Sequence, residues 1–173
     1  MSEDPGNGWK KAFEAGRARA ERIVILGIGH EWRGDDAAGL LFARDLEKRI
    51  ASPGTSASKD GKAWLVMEGA EAPENQTGRI RAFRPDLIVL VDAARGGRTP
   101  GKVYLIDKDL IAEEDLSSHR IPLSFLVRFL EDSIGALVMF IGIEPESMAW
   151  QAPLSPAVRK TVAELVEYFA RQR

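Results

Sequence analysis

The stretch RIVILGIGHEWRGDD, residues 22–36, decides the fold of this chain. Its first half is a continuous run of β-branched and apolar residues closed by glycines, which is typical of a strand buried on both faces. Helical periodicity follows from Asp35 to Ile50, with apolar side chains on one side and charged side chains on the other. A buried strand that leads into an amphipathic helix is the building unit of parallel α/β sheets.

The same alternation continues to the end of the chain. Further strands are predicted at 63–68, 87–91, 102–106 and 136–143, with 102–106 at a sheet edge, and further helices at 73–83, 122–132 and from Ser155-Pro156 onward. Residues 52–62 and 107–121 are predicted loops. We therefore expect a doubly wound α/β sheet in three layers, formed by one domain over residues 21–173. Residues 1–20 are an extension that could be an amphipathic helix or disordered.

The composition excludes several functional classes. A net charge of −2 gives no basic face for nucleic acid, and no apolar run approaches the roughly 18 residues of a membrane helix. The chain has no cysteine, which rules out disulfides, thiolate nucleophiles and iron–sulfur ligation. This composition suits a reducing cytoplasm, where we expect the protein to work. Any metal must then be held by oxygen and imidazole donors.

Familiar site motifs fail on inspection. Gly27-Ile28-Gly29 resembles the start of a dinucleotide-binding fingerprint, but Trp32 occupies the position of its third glycine. A receiver domain would need an acid pair directly after the first strand and a lysine after the fifth, and neither is present. The P-loop pattern and the G-x-S-x-G elbow of serine hydrolases are also absent.

Acids and histidines remain as candidates. Asp35 and Asp36 start the first predicted helix, where one acid can cap amide groups while the second exceeds what a cap needs. Asp92 ends an otherwise apolar strand, where a carboxylate is costly unless paired, hydrogen-bonded or metal-bound, although it could also cap the following turn. His119 lies in a polar loop, as solvated surface histidines do, and His30 follows the first strand within reach of the same site.

Together these residues predict a metal site at one edge of the sheet. In a doubly wound sheet, ligands bind beyond the carboxyl ends of the strands. Two carboxylates and one imidazole there would leave coordination positions open, as a working metal site does. These donors suit nickel or zinc better than a soft ion.

The chain also resembles a known family, the hydrogenase maturation endopeptidases, and within it the branch that serves hydrogenase 3-type enzymes. The resemblance runs from about Arg22 to the last helix. It is carried by the following segments: GIGHEWRGDDAAG (27–39), EGAEAPEN (68–75), VDA (91–93), Pro100-Gly101 before KVYLI, SSHRIPLSFL (117–126) and GIEPES (142–147). The set and its order are specific, whereas any single piece is not.

The resemblance implies a twisted, mainly parallel sheet flanked by helices. It implies an endopeptidase that removes the C-terminal tail of a nickel–iron hydrogenase large-subunit precursor after nickel insertion. The metal-binding positions of the family match Asp36, Asp92 and His119, which leaves Asp35 the capping role. The nickel would come with the precursor, so we expect no permanent organic cofactor. Two departures, His30 for the usual Asn and Glu68-Gly69-Ala70 for the usual Asp-Gly-Gly, bear on local hydrogen bonding and substrate preference.

The mechanism and two alternatives stay open at this point. The metal could act as Lewis acid or as the source of hydroxide, or a carboxylate could serve as general base. A non-catalytic metal or ligand sensor with this fold is one alternative function. A protease of the same fold that acts on an unrelated protein is the other. The sequence does not give the oligomeric state, the particular hydrogenase or the cleavage site.

Overall fold

The computed structural model describes residues 8–51, 58, 60–107 and 123–173. Its strands are β1 (Arg22–Ile28), β2 (Ala63–Ala70), β3 (Leu87–Ala93), β4 (Val103–Leu105) and β5 (Leu137–Ile143). Its α-helices are α1 (Gly8–Arg19), α2 (Ala38–Ile50), α3 (Thr77–Phe83), α4 (Leu123–Ile134) and α5 (Pro156–Gln172). The predicted loops 52–62 and 107–121 lie mostly outside the described residues.

The five strands form one sheet in the order β2-β1-β3-β5-β4. The first four in this order pair in parallel, and β4 pairs antiparallel with β5 at the edge. The predicted mainly parallel sheet and the edge position of β4 are therefore confirmed. Every residue of β3 is buried, as expected for the central strand of a sheet covered on both faces.

Two apolar clusters, one on each face of the sheet, make the three layers. One contains side chains of α1, α2 and α5, and the other contains side chains of α3 and α4. Alternate residues of β1 enter the two clusters, Ile23 and Ile25 the first, Val24 and Leu26 the second. This alternation confirms the predicted three-layer α/β architecture.

The N-terminal segment is helical from Gly8, which is one of its two predicted alternatives. Trp9 and Phe13 of α1 are buried in the same cluster as Phe169 of α5. The Trp9 and Phe169 rings stack, with centroids 6.1 Å apart. The helix therefore packs on the sheet through its aromatic side chains. Residues 1–7 lie outside the described residues.

Two helices begin differently from the prediction. The segments predicted as α-helix from Asp35 and from Pro73 each open with a 3₁₀ helix, Gly34–Ala37 and Pro73–Gln76, before α2 and α3. Short 3₁₀ turns are common at helix N-termini because they bend the chain more tightly there. The tighter first turn changes where the acids of Gly34–Ala37 are directed.

The helix α2 sits unusually close to the sheet because two glycines face each other. A Cβ on Gly39 would lie 2.0 Å from the Val91 carbonyl oxygen, and a Cβ on Gly27 would lie 2.0 Å from the Gly39 carbonyl oxygen. Only hydrogen at both positions permits this approach. The close contact fixes the start of α2 against the carboxyl ends of β1 and β3. Among the described residues, no helix is long and apolar enough to span a membrane.

Candidate active site

Asp36 lies at the carboxyl end of β1, in the 3₁₀ helix that precedes α2. The chain folds back there through Gly29, which has φ +138° and whose Cβ would lie 1.8 Å from the Asp36 carbonyl oxygen. The Asp36 side chain is 2% exposed, and its Oδ2 accepts a hydrogen bond from the His30 N–H at 3.2 Å. The loop after β1 thus holds a buried carboxylate at the edge where ligands bind in this architecture.

Asp92 lies one strand away, at the carboxyl end of β3. It is 1% exposed, and its Oδ1 accepts a hydrogen bond from the Ala93 N–H at 2.8 Å. Its register partner in β5 is Gly142, which presents no side chain to it. A carboxylate taken out of water at such a position costs free energy unless strong partners compensate it. Asp92 is therefore a candidate for the active site.

The backbone brings these two acids to one edge of the sheet. Val91 pairs with Gly27, so β1 and β3 end at the same level, and the Gly34–Ala37 segment contacts β3. Asp36 and Asp92 come from separate parts of the sequence and lie at the same edge of the sheet. Their predicted role as metal ligands remains a prediction.

His119, the third predicted ligand, lies outside the described residues. Within the described part of the chain, no three His, Asp or Glu residues are grouped closely enough to hold a metal ion. A protein ligand set of three would therefore need a residue from elsewhere, such as His119.

Asp35 does not cap a helix, so the predicted capping role is wrong. Neither the Gly34–Ala37 segment nor α2 has a side-chain cap at its N-terminus. Instead the fully buried Asp35 carboxylate accepts three backbone hydrogen bonds from the loop after β5. Its Oδ2 accepts from the N–H groups of Glu146 and Ser147 at 2.8 and 3.0 Å, and its Oδ1 accepts from the N–H of Ser155 at 2.7 Å. Asp35 thus joins two loops.

The prediction missed Glu144, a buried carboxylate directly after β5. Its Oε2 accepts a hydrogen bond from the Gly96 N–H at 2.8 Å, and its backbone pairs with Gly101 and Lys102. Glu144 therefore fixes the turn that follows β3. The signal that singles out Asp92, an acid at the end of an apolar strand, applies equally to Glu144.

The sequence-based prediction also missed Tyr104 of β4, whose pKa responds to the charges at this edge. Its O–H donates to the Ala94 carbonyl oxygen at 2.8 Å. Burial, with the negative charges of Glu144 and Asp92 as smaller causes, raises the pKa of Tyr104 to about 12, and the Arg98 guanidinium opposes this rise. Arg98 lies over the Tyr104 ring, 3.8 Å from its centroid. The carboxylates of Glu144 and Asp92 therefore place negative charge near the Tyr104 hydroxyl, partly offset by Arg98.

His30 reaches Asp36 through its backbone and turns its ring elsewhere. Its Nδ1 accepts from the Trp32 N–H at 3.2 Å, and its Nε2 lies 3.5 Å from Oε2 of Glu71. The ring also packs edge-on against Trp150, with centroids 5.3 Å apart. The imidazole is thus held within the loop cluster beside Asp36.

Glu68, the other departure from the resembled pattern, is engaged by Arg44. Arg44 donates from Nε and a terminal nitrogen to the two Glu68 oxygens at 3.1 and 2.9 Å, and from its other terminal nitrogen to Glu31 at 2.7 Å. These bonds, that to Glu68 first, raise the pKa of Arg44. A forked pair of this kind anchors β2 to α2.

Comparison with known proteins agrees with this fold. The family described as HycI, hydrogenase maturation protease, matches residues 42–172, a range that includes Asp92 and His119 and begins after Asp36. The hydrogenase 3 maturation protease of Escherichia coli K12 is 36% identical over 140 residues, which cover 80% of this chain and 83% of that protein. A putative hydrogenase maturation protease of Methanocaldococcus jannaschii is 28% identical over 84% of this chain and 85% of its own.

Solved structures of hydrogenase maturation proteases also resemble this chain. The nickel–iron hydrogenase maturation protease HycI of Thermococcus kodakarensis superposes with a TM-score of 0.79 at 31% identity, covering 92% of this chain and 96% of its own. The solution structure of the endopeptidase HycI from Escherichia coli gives a TM-score of 0.70 at 33% identity, covering 84% and 87%. The chain belongs to the hydrogenase maturation protease family. Within it, the similarity to hydrogenase 3 maturation proteases agrees with the branch indicated by the sequence. It is therefore a peptide-bond hydrolase.

Proposed function

We propose that this protein removes the C-terminal tail of a nickel–iron hydrogenase large-subunit precursor after nickel has been inserted. The observation that carries the proposal is the pair of buried carboxylates, Asp36 and Asp92, at one edge of the sheet. A peptidase that lacks cysteine and any G-x-S-x-G elbow needs another way to activate its substrate. Carboxylates facing a metal delivered by the substrate meet that need.

Nickel recognition in this proposal uses Asp36, Asp92 and His119. Oxygen and imidazole donors suit nickel, and three protein ligands leave positions for the precursor's own ligands. The buried carboxylates of this edge, Asp36, Asp92 and Glu144, attract a cation. The metal belongs to the precursor, so the protease reads the completion of nickel insertion before it cuts.

Hydrolysis then follows at the bond that docking brings beside the metal. A water molecule attacks the scissile carbonyl carbon and gives one proton to a base, for which the carboxylates Asp36 and Asp92 are the nearest candidates. The carbonyl carbon–nitrogen bond breaks, and the departing amine takes up a proton to leave as the free tail. The nickel polarises the carbonyl or the water during attack.

Mass spectrometry of the precursor tests the proposal. The protease is incubated with nickel-loaded and with nickel-free large-subunit precursor, and the mass of the precursor is followed. We expect loss of a C-terminal peptide from the nickel-loaded form alone. Equal cleavage of both forms would contradict nickel recognition, and cleavage of neither would contradict the assigned substrate.

A control substrate separates this proposal from a protease of unrelated specificity. The mature large subunit, which already lacks the tail, should show no change of mass under the same conditions. Cleavage of the mature subunit would indicate a different specificity. A cytoplasmic location, expected from the cysteine-free composition, forms part of the same proposal.

A further inference from the structure

Two tryptophans on neighbouring loops are exposed, in contrast to the other large side chains around them. Trp32, in the loop after β1, is 58% exposed, and Trp150, in the loop after β5, is 62% exposed. The two loops are joined directly, because the Gln151 N–H donates to the Trp32 carbonyl oxygen at 2.6 Å. We call this pair, Trp32 and Trp150, the tryptophan rim.

Hydrogen bonds of Asp35 hold together the two loops that carry the tryptophan rim. The Asp35 carboxylate accepts three amide hydrogen bonds from the loop that carries Trp150, and the Asp35 N–H donates to the Ser147 carbonyl oxygen at 2.8 Å. Gly34, at φ +53°, lies so close that a Cβ would be 2.6 Å from the same Ser147 oxygen. The buried charge of Asp35 thus locks both loops with the tryptophans facing outward.

The rim is continuous with the candidate active site. The His30 ring packs against Trp150, and the His30 N–H donates to Oδ2 of Asp36. His30 therefore links Trp150 to Asp36, a carboxylate that we propose to meet the substrate. Trp32 precedes Asp36 on the same short loop. A polypeptide that places its scissile bond at Asp36 and Asp92 would pass over this surface.

We propose that the tryptophan rim is the docking surface for an apolar segment of the precursor next to the scissile bond. This inference rests on the proposed function. Tryptophan is the residue type most enriched where partners bind, because it offers a large rigid apolar surface. The charged side chains beside the rim are already engaged, Arg44 with Glu31 and Glu68 and His30 with Glu71, so the rim itself offers a partner the apolar faces of two indole rings.

Steady-state kinetics of tail release from nickel-loaded precursor is the main test. The double variant Trp32→Ala/Trp150→Ala should raise KM at least about tenfold, as removal of anchoring aromatics does, with kcat within about twofold of wild type. The matched control is Leu137→Ala, a 49%-exposed side chain at the opposite end of the sheet, which should keep the wild-type KM. A double variant with wild-type KM would overturn the proposal.

A second readout observes docking without cleavage. Protease labelled with 5-fluorotryptophan gives resonances for Trp32 and Trp150 that the two single variants assign. Addition of precursor should shift both resonances while those of the buried Trp9 stay in place. Shifts without any cleavage would support the docking surface and contradict the proposed chemistry. Cleavage without shifts would support the chemistry and contradict the docking surface. Shifts caused by raising the protease concentration alone would assign the rim to a second copy and overturn the proposal.

Discussion

Asp35 and Asp36 are neighbours in one 3₁₀ helix and are equally buried, yet they serve different regions of the molecule. Asp35 is directed at the loop after β5 and accepts three amide hydrogen bonds there. Asp36 instead accepts a hydrogen bond from the His30 N–H, in the loop after β1. One residue of shift along the helix thus separates an acid that joins two loops from the acid that we propose for the active site.

The comparison separates two roles for buried acids: Asp35 holds loops together, and Asp36 is the acid that we propose for the chemistry. Asp35 joins the loop after β1 to the loop after β5 through three amide hydrogen bonds. We therefore expect substitutions on the Asp35 side to change stability first, and substitutions on the Asp36 side to change activity first.

The largest effect is expected on the site side, at Asp92. Asp92→Asn keeps the shape of the side chain and removes its charge, so nickel-dependent processing should fall at least about 100-fold, the lower end of what a positioned acid–base group contributes. The melting temperature should change little because the Ala93 N–H still finds an acceptor. The control is Asp45→Asn on the exposed face of α2, which should process at the wild-type rate. Wild-type processing by Asp92→Asn would remove Asp92 from the site.

On the structural side, Asp35→Asn should lower the free energy of unfolding by about 3 kcal/mol, since an amide group would face backbone N–H donors that now bond a carboxylate. For a domain of this size that corresponds to a fall in melting temperature of about 6–12 °C. Urea unfolding measures the free energy. A loss below about 1 kcal/mol would show that the three amides are satisfied without Asp35.

The ionisation of Tyr104 tests the burial and the charges at the edge of the sheet that carries Asp92. Its pKa is raised to about 12, so the neutral phenol is favoured in the folded state relative to the unfolded chain. The contribution to stability is full below the ordinary pKa of 10.0 and is lost as the pH rises towards 12. In a Tyr168→Phe background, near-ultraviolet absorbance reports the ionisation of Tyr104 alone, because the chain has two tyrosines. A midpoint near the ordinary value would contradict the burial of the Tyr104 hydroxyl beside Glu144 and Asp92.

The smallest effect is expected at Ala70, which lies next to the same loop but in neither network. Its φ is +49°, a left-handed conformation that costs a residue with a Cβ about 1–2 kcal/mol. Ala70→Gly should therefore raise the free energy of unfolding by about 1 kcal/mol. Ala72→Gly is the matched control, because at φ −133° glycine brings no relief and should destabilise. Destabilisation by both would show that Ala70 is not strained.

The fold was predictable because its signals are local. The strand Leu87–Ala93 contains the continuous apolar run 87–91, and the apolar side chains at helical spacing on α4 and α5 are buried. The 3₁₀ starts of two helices were not predictable from periodicity, because a 3₁₀ turn and an α turn share the same apolar pattern over four residues.

The site was only partly predictable for a physical reason. Asp92 is visible in the sequence because a charge ends an apolar strand, and Glu144 could have been found by the same rule. The role of Asp35 could not, since its partners are backbone amides at Glu146, Ser147 and Ser155, which any residue type supplies. Trp32 was noticed only as an obstacle to nucleotide binding, because its exposure depends on how the two loops are joined.

The most direct test of the account measures tail release from nickel-loaded precursor by Asp36→Asn and Asp35→Asn side by side, at a temperature where both variants are folded. Single-turnover mass spectrometry gives the rate per folded molecule. We predict that Asp36→Asn loses at least about 100-fold while Asp35→Asn stays within about tenfold of wild type. Equal rates for Asp36→Asn and wild type would contradict the assignment of Asp36 to the active site.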